Sequence, residues 1–523
     1  MRLDYDVVVI GSGLGGLTCA AYCARAGRSV AVFEQYHNIG GCCQSFRRGE
    51  FLFDASVHSV LWSRHMVRIV EELGQHIDVI RTGDSLRFPG VRLPLDTIPQ
   101  VRDDLARLFP AEKDAIHAYY TDLCAVVTSL LRRFVSKERA TADPGLRFGS
   151  FYKYFGKTTS DIIDQYFTSP ELRALAFCAQ MGFLPDRAWL FTAYHIYMER
   201  NFYHDNVLIA GGTQRLPDGL AAAIRGAGSD IFTNRLVRRI LIEDGQAAGV
   251  ELDDGTPVRA RHVVSNADAR LTFGTLIPPE YVEPGIQRDL NSWRNSISFV
   301  VANLGLAGDV SRLGPDGTNI AYFPTYDVVR MVRDLEAGVL SDDFWLGMSF
   351  PTIVDPSRPP ADGSVVFLLV PVGYNACNSW GVGEDYRFDG LRPRGKRGAG
   401  YAENKRRVAD MIIARAEELF PGIKAHIARK NVITPISIER ITLNNRGTGL
   451  AWMLRPHELK VDMGLGLPIA SRIAGFHYVG AWTQLGCGVS MSMLSGKTAA
   501  YHILGLPEGE VFRYEWEERY VKE

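Results

Sequence analysis

Three glycines and one carboxylate carry the first chemical signal. In "YDVVVIGSGLGGLTCAAYCARAGRSVAVFEQ" Gly11, Gly13 and Gly16 fit G-x-G-x-x-G, and Glu34 follows about twenty residues on, the spacing of a dinucleotide fingerprint. Gly11 permits a tight turn, Gly13 lets the backbone approach a pyrophosphate, and Gly16 allows a helix to pack close on a strand. Leu14 and Gly15 lie between them, where helix N–H groups face phosphates. Glu34, with Gln35 after it, is placed to accept hydrogen bonds from ribose hydroxyls and to repel a 2'-phosphate.

The second signal is "GGCCQSFRRGEFLFDASVHSV", Gly40 to Val60. Adjacent Cys42 and Cys43 lack the spacing of a zinc site, a vicinal disulfide is geometrically unusual, and no Cys-x-x-x-x-Cys of a disulfide reductase is present. They read as small buried residues beside functional glycines. Asp54 is expected to fix its loop through backbone N–H groups. His58 is the one candidate for contact with the reacting atoms.

The elements that must position these groups follow from patterning. Val7 to Ile10 is an unbroken apolar run, as in a buried parallel strand. Leu17 to Ala26 reads as a helix and Ser29 to Phe33 as a second strand. Near residue 250, "GVELDDGTPVRA" reads as a hairpin about an Asp-Gly turn, and "HVVSNAD" as a strand ending at Ser265 to Asp268. At the far end, His477 to Val479 reads as a strand entering a turn at Gly480, and "GCGVSMSMLSGKTAAYHIL" as a helix opened by glycines. "ENKRRVADMIIARAEELF" is an amphipathic helix, "SFVVANLGL" and "SVVFLLVPV" are strand-like, and Gly381 to Gly400 reads as a mobile loop. No second well-formed G-x-G-x-x-G follows a strand, so one nucleotide site is legible.

A dinucleotide fingerprint, an acidic residue and then a Gly-Gly pair resemble the flavoproteins that include amine oxidases and phytoene desaturases. "EQYHNIGGCCQSF" followed by "FLFDASVHSV" is most similar to the branch of phytoene desaturases, carotenoid isomerases and retinol saturases, and Gly-Gly-Cys-Cys with Phe-Asp-x-x-x-His is closest to the retinol saturases. The resemblance implies that the dinucleotide is FAD. It puts Gly40, Gly41 and Cys42 near the phosphates and runs Phe53 to His58, with Ser56 and Val57, toward the flavin ring. It implies that Val237 contacts the adenine through its backbone, that Asn266 lies on the returning segment, and that Gly480, Ala481, Thr483, Gly486, Gly488 and Val489 hold the flavin. The helix after Gly488 would point at the pyrimidine end of the ring, where negative charge develops on reduction. Ala481 stands where many such proteins have Asp, so no carboxylate is assigned to the ribityl chain. "TPISIERITLNNRGTGLAW", Thr434 to Trp452, resembles the segment lining the substrate side.

The fold expected is α/β: a Rossmann-type FAD-binding domain of discontinuous segments with an inserted mixed sheet-and-helix substrate domain. The segments are 1–84, 205–291 and 432–506 for FAD, with 85–204 (helical, aromatic-rich) and 292–431 for substrate and 507–523 as a charged tail. Residues 148–204 hold 15 aromatics in 57 positions, against 11% for the chain, a density suited equally to a cavity wall and to plain core. A net charge of −1 offers no field to recruit nucleic acid. Eight scattered cysteines read as reduced thiols, and no long apolar run suggests a transmembrane helix, so the expected setting is cytoplasmic. Leu123 to Lys137, apolar with a basic end, leaves peripheral membrane contact open. No metal is expected, and oligomeric state is not legible.

The expectation is an FAD-dependent oxidoreductase acting on C–C or C=C bonds of a long apolar polyene or isoprenoid-like substrate, by desaturation, saturation or reductive cyclisation, or isomerisation. The second reading is a flavin amine oxidase-like enzyme, with Trp452 and Trp482 imitating its aromatic cage. The third is a non-catalytic flavin-bound protein.

Overall fold

The computed structural model describes residues 2–135, 153–179, 186–197, 200, 206–358, 360, 362–383, 386–388, 391, 393–453, 455–458 and 466–507. Phe148, Phe151, Tyr152, Tyr203, Lys137 and the tail from residue 508 therefore lie outside the described residues.

Two seven-stranded sheets organise the molecule. The first runs in the order Asp230–Phe232, Val30–Phe33, Asp4–Ile10, Pro257–Ser265, Gln246–Leu252, Val237–Glu243, with Phe476–Tyr478 pairing with the distal half of Pro257–Ser265. Its core is parallel: Val7 to Ile10 pair with Val30 to Phe33 on one side and with His262 to Ser265 on the other. Val7, Val8 and Val9 are all fully buried, which accounts for their unbroken apolar run. The expected hairpin is present between Gln246–Leu252 and Pro257–Ser265, with Gly249 opposite Arg259.

The first helix is Leu14–Arg25. It starts three residues before the expected Leu17, because the second and third fingerprint glycines are its cap and an early-turn residue. The C-terminal helix Val489–Leu504 lies along it. A side chain at Gly496 would come 2.1 Å from the Gly15 carbonyl oxygen, so these helices meet backbone to backbone.

The second sheet runs in the order Ile427–Ile433, Ser298–Ala307, Gly363–Val372, Leu346–Ser349, Asn319–Tyr322, Asp84–Phe88, Val91–Pro94. Its centre is the ten-residue antiparallel pair Ser298–Ala307 and Gly363–Val372, the two strand-like runs of the sequence. The amphipathic helix spans Gly398–Leu419. It begins inside the segment expected to be a mobile loop, which also carries the short paired strands Arg387–Phe388 and Pro393–Arg394.

The segment beginning at Leu123 belongs to the helix Lys113–Val135. Leu123, Val126 and Val127 are buried in the largest apolar cluster of the protein, so these side chains pack inward. Among the described residues no helix is long and apolar enough to cross a membrane, and no group of three or more side chains could hold a metal ion.

Candidate functional site

The fingerprint turn, the Gly40–Cys43 loop, the start of Val237–Glu243, Asn266 and the Gly480–Val489 segment converge on one cavity. Gly11, Gly13, Leu14, Glu34, Gln35, Gly40, Gly41, Cys42, Val57, Val237, Asn266, Gly480, Ala481, Gly488 and Val489 all line it. Six expected residues do not. Thr483 and Gly486 build the turn instead: the Thr483 hydroxyl donates to the Gly480 carbonyl at 2.9 Å, and the Gly486 N–H to the Thr483 carbonyl at 2.9 Å. Gly15 and Gly16 are packing positions: a Cβ on Gly15 would meet the Gly480 nitrogen at 2.9 Å, and one on Gly16 the Gly11 carbonyl oxygen at 2.4 Å. Ser56 lies beside the Cys42 thiol and acts to lower its pKa against burial. His58 stacks on Phe367 of the second sheet, ring centroids 4.1 Å apart.

His58 follows the cavity-lining Val57 and keeps part of its surface exposed. Burial, with the charge of Arg358 behind it, drives its pKa down to about 4 against the pull of Asp54. The imidazole is neutral at pH 7 and packed on an aromatic face.

Glu34 is buried, and its carboxylate is already engaged. Ser12 donates to Oε2 from both its backbone N–H (2.8 Å) and its hydroxyl (2.7 Å), and the Tyr36 N–H donates to Oε1 at 2.8 Å. Burial still pushes the carboxyl upward. The residue thus ties the fingerprint turn to the end of the second strand. Ser12 carries no motif signal, because any residue satisfies the x of G-x-G.

Asn266 is the hub of the glycine cradle. Its amide nitrogen lies 2.2 Å from where a Gly13 Cβ would sit, and its amide oxygen 2.7 Å from the Cβ positions of both Gly15 and Gly480. One asparagine thus occupies the side-chain space of three glycines drawn from both ends of the chain. The Gly480 N–H donates to Ser495 Oγ at 2.8 Å, which holds the second strand–turn–helix unit in register. Gly41 reaches the same point, with its Cβ position 3.3 Å from the Gly13 Cα.

The cysteines are packing residues. Cys42 and Cys43 are free thiols. Burial pushes Cys42 up to about 11 and Cys43 higher still, so neither is a thiolate. Asp54 does more than expected. It accepts from the Ser45 hydroxyl (2.7 Å), from the Thr213 N–H (3.1 Å) and hydroxyl (2.9 Å), and from Arg358 at 2.7 Å. The last is an ion pair with both side chains at 2% exposure or less. Burial acts to raise this carboxyl, but the Arg358 charge and its donors outweigh it and the pKa is lowered. Arg358 is 304 residues from Asp54, and nothing in either segment announces the pair.

Trp482 lines the cavity, and Trp452 packs edge-to-face on it, centroids 4.6 Å apart and planes at 77°. The Trp452 indole N–H is spent on the Trp482 carbonyl oxygen at 3.1 Å. The two rings therefore do not present facing walls. The segment resembling the substrate side contributes Ile441 to Asn444, Gly449 and Ala451 to the cavity.

The lining suits an FAD. Backbone at Gly11, Gly13, Gly40, Gly41 and Gly480 is bare of side chains where the pyrophosphate and ribityl chain would pass, and the first-helix N-terminus adds its dipole. Glu34 and Val237 would meet the adenosine of such a cofactor, and the start of Val489–Leu504 its flavin.

Comparison with known proteins agrees. Residues 14–287 match the model of the flavin containing amine oxidoreductase family. The chain is 28% identical over 528 residues to prolycopene isomerase 2, chloroplastic, of an Oncidium hybrid cultivar, covering 96% of this chain and 84% of that protein. It is 26% identical over 490 residues to the all-trans-retinol 13,14-reductase of Danio rerio, covering 85% and 77%. The solved structure of cyclohexylamine oxidase from Brevibacterium oxydans superposes with a TM-score of 0.62 at 17% identity, covering 96% of this chain and 99% of that one; at that identity the likeness is one of fold. With the family model matching more than half its length, the chain belongs to the flavin containing amine oxidoreductases and is an FAD-dependent enzyme.

Proposed function

We propose that this enzyme acts on the carbon–carbon or C=C bonds of a long apolar polyene or isoprenoid-like molecule. The observation that carries the reading is Trp482 on the cavity wall, crossed by Trp452 beside it. An amine oxidase wants two facing aromatic walls, and these indoles are turned edge to face. Among the described residues Glu34 is the one acid lining the cavity, and it is bonded to Ser12 and Tyr36, so no free carboxylate waits there for an ammonium. The relatives named for prolycopene isomerisation and for retinol 13,14-reduction, over most of their length, support the same choice.

In this reading residues 1–84, 205–291 and 432–506 hold the cofactor, and 85–204 and 292–431 supply the substrate side. FAD, when bound, exchanges hydride at its N5. The protein's part is position and environment. The glycine cradle and Asn266 fix the phosphates, Glu34 fixes the turn that carries them, and Trp482, Ala451 and Leu443 wall the cavity with apolar surface that excludes water. No acid–base dyad is assigned, since a proton beside a delocalised cation is acidic enough for water or a weak base.

The test is to mix the purified FAD-loaded protein anaerobically with apolar polyenes and, separately, with simple amines, and to follow the flavin spectrum. Bleaching by a polyene establishes desaturation. Polyene-driven reoxidation of pre-reduced flavin establishes saturation or reductive cyclisation, and a polyene altered without net reoxidation establishes isomerisation. Bleaching by an amine overturns the reading.

A further inference from the structure

Among the described residues Arg187 is a buried cation with no counter-charge. It is 7% exposed, its Nε is buried without a hydrogen-bond partner, and among the described residues it forms no ion pair. Its guanidinium carbon lies 4.2 Å over the Phe191 ring. The backbone beneath it is pinned: the Arg187 carbonyl accepts from both the N–H (2.9 Å) and the hydroxyl (3.2 Å) of Thr159. The two other most buried arginines are provided for. Arg358 pairs with Asp54, and Arg200 donates to the Asp96 and Ala179 carbonyl oxygens.

The surroundings of Arg187 are aromatic and neutral. Phe191 and His195 follow it at helical spacing, with His195 edge-on to Phe191 at 5.8 Å and 4.9 Å from Trp62. The imidazole is driven down to about 3 by burial and by the Arg187 charge, and burial holds the Cys487 thiol protonated. This box does not line the cofactor cavity but reaches it through Cys487, which feels the Arg187 charge and precedes the cavity-lining Gly488. Phe191 belongs to the same extended apolar cluster as the cavity-lining Ala451 and Trp482, and Ala481 and Cys487 pack against that cluster. Ser490, in the first turn of Val489–Leu504, donates to the Trp62 carbonyl at 2.8 Å.

A desolvated guanidinium without a partner is costly and is retained where a ligand supplies the missing charge. We propose that Arg187 receives a delocalised oxyanion of single charge on the substrate, a carboxylate being the simplest, so that the substrate is an amphipathic polyene acid anchored beside the flavin rather than a hydrocarbon. The planar fork of arginine matches a carboxylate bidentately. One cation also balances one carboxylate and leaves a diphosphate mostly unpaired. The inference rests on the polyene reading above and adds the anionic end to it.

The test uses the FAD-loaded protein with all-trans-retinoic acid and, as its neutral counterpart, all-trans-retinol, with binding read from the flavin difference spectrum. The acid should bind at least tenfold tighter than the alcohol. Arg187→Gln should weaken the acid about 10- to 100-fold, the worth of a charged hydrogen bond, and leave the alcohol unchanged, while Arg187→Lys should keep part of the preference. Arg187→Met should raise the melting temperature of the ligand-free protein by a few degrees, since it removes an unpaired buried charge. Equal binding of acid and alcohol by the native protein, or an equal loss of both in Arg187→Gln, overturns the inference and leaves the polyene reading standing. A lowered flavin potential in Arg187→Gln with acid binding intact also overturns it, and makes the reduced flavin the partner of Arg187. Failure of both ligands to perturb the flavin overturns the polyene reading and this inference together.

Discussion

Gly13 offers a test in which the steric and cofactor roles of one atom position separate. Its backbone, φ −63° and ψ 164°, is open to any residue, so Gly13→Ala adds a methyl group without backbone strain. That methyl would stand 2.2 Å from the Asn266 amide nitrogen. Ordinary contact begins at about 3.5 Å, so the amide must retreat by more than an ångström, and its oxygen is already wedged against Gly15 and Gly480. Overpacking of this kind costs about 1–3 kcal/mol, which weakens FAD about 5- to 150-fold if the cradle bears it. The assay is titration of apoprotein with FAD by quenching of flavin fluorescence, with the melting temperature measured alongside. Adding Asn266→Ala to Gly13→Ala relieves the clash and should restore the melting temperature. Measured against Asn266→Ala alone, FAD affinity should stay low, because the phosphates still need the methyl's space. An FAD affinity within twofold of native in Gly13→Ala refutes the cradle, and full recovery in the double variant shows that the glycine serves only the asparagine.

Asp54→Asn strands the Arg358 guanidinium and should cost about 3–5 kcal/mol in denaturant unfolding, while Asp54→Leu with Arg358→Met should recover most of it; a small effect of the single change would mean that water reaches the pair. Burial depresses His58, His195 and His477 to about 4, 3 and 4. Because these folded-state values lie below the unfolded 6.5, the unfolded chain binds the extra protons, and stability falls as pH drops from about 6.5 toward 4. At pH 5 each should remove about 2 kcal/mol, and His477→Phe should flatten part of the slope. A melting temperature constant between pH 7 and 5 contradicts the burial of these rings.

What could be read along the chain was local. The fingerprint, the Asp-Gly hairpin and the strand–Gly480–helix unit are each defined within about thirty residues by backbone demands that few residue types meet. The contacts that finish the site are not local. Asn266 filling the side-chain space of Gly13 and Gly480, Arg358 reaching Asp54 and Phe367 stacking on His58 join residues hundreds of positions apart, and no periodicity encodes them. The loop carrying His58 was legible in type, but the sheet behind it, with Phe367 against the ring, was not. Arg187 raised no signal, since a lone arginine in an aromatic stretch looks like any surface cation until its burial is known.

The two chain ends interlock. Gly496 presses on Gly15, Gly480 closes on Asn266, and Phe476–Tyr478 completes the sheet only by pairing with Val263 to Ser265. Residues 480–492 wall the same cavity as the fingerprint, so a chain stopped before residue 475 should fail to retain flavin through gel filtration, and flavin content then reports on closure of the whole chain rather than on the fingerprint segment alone.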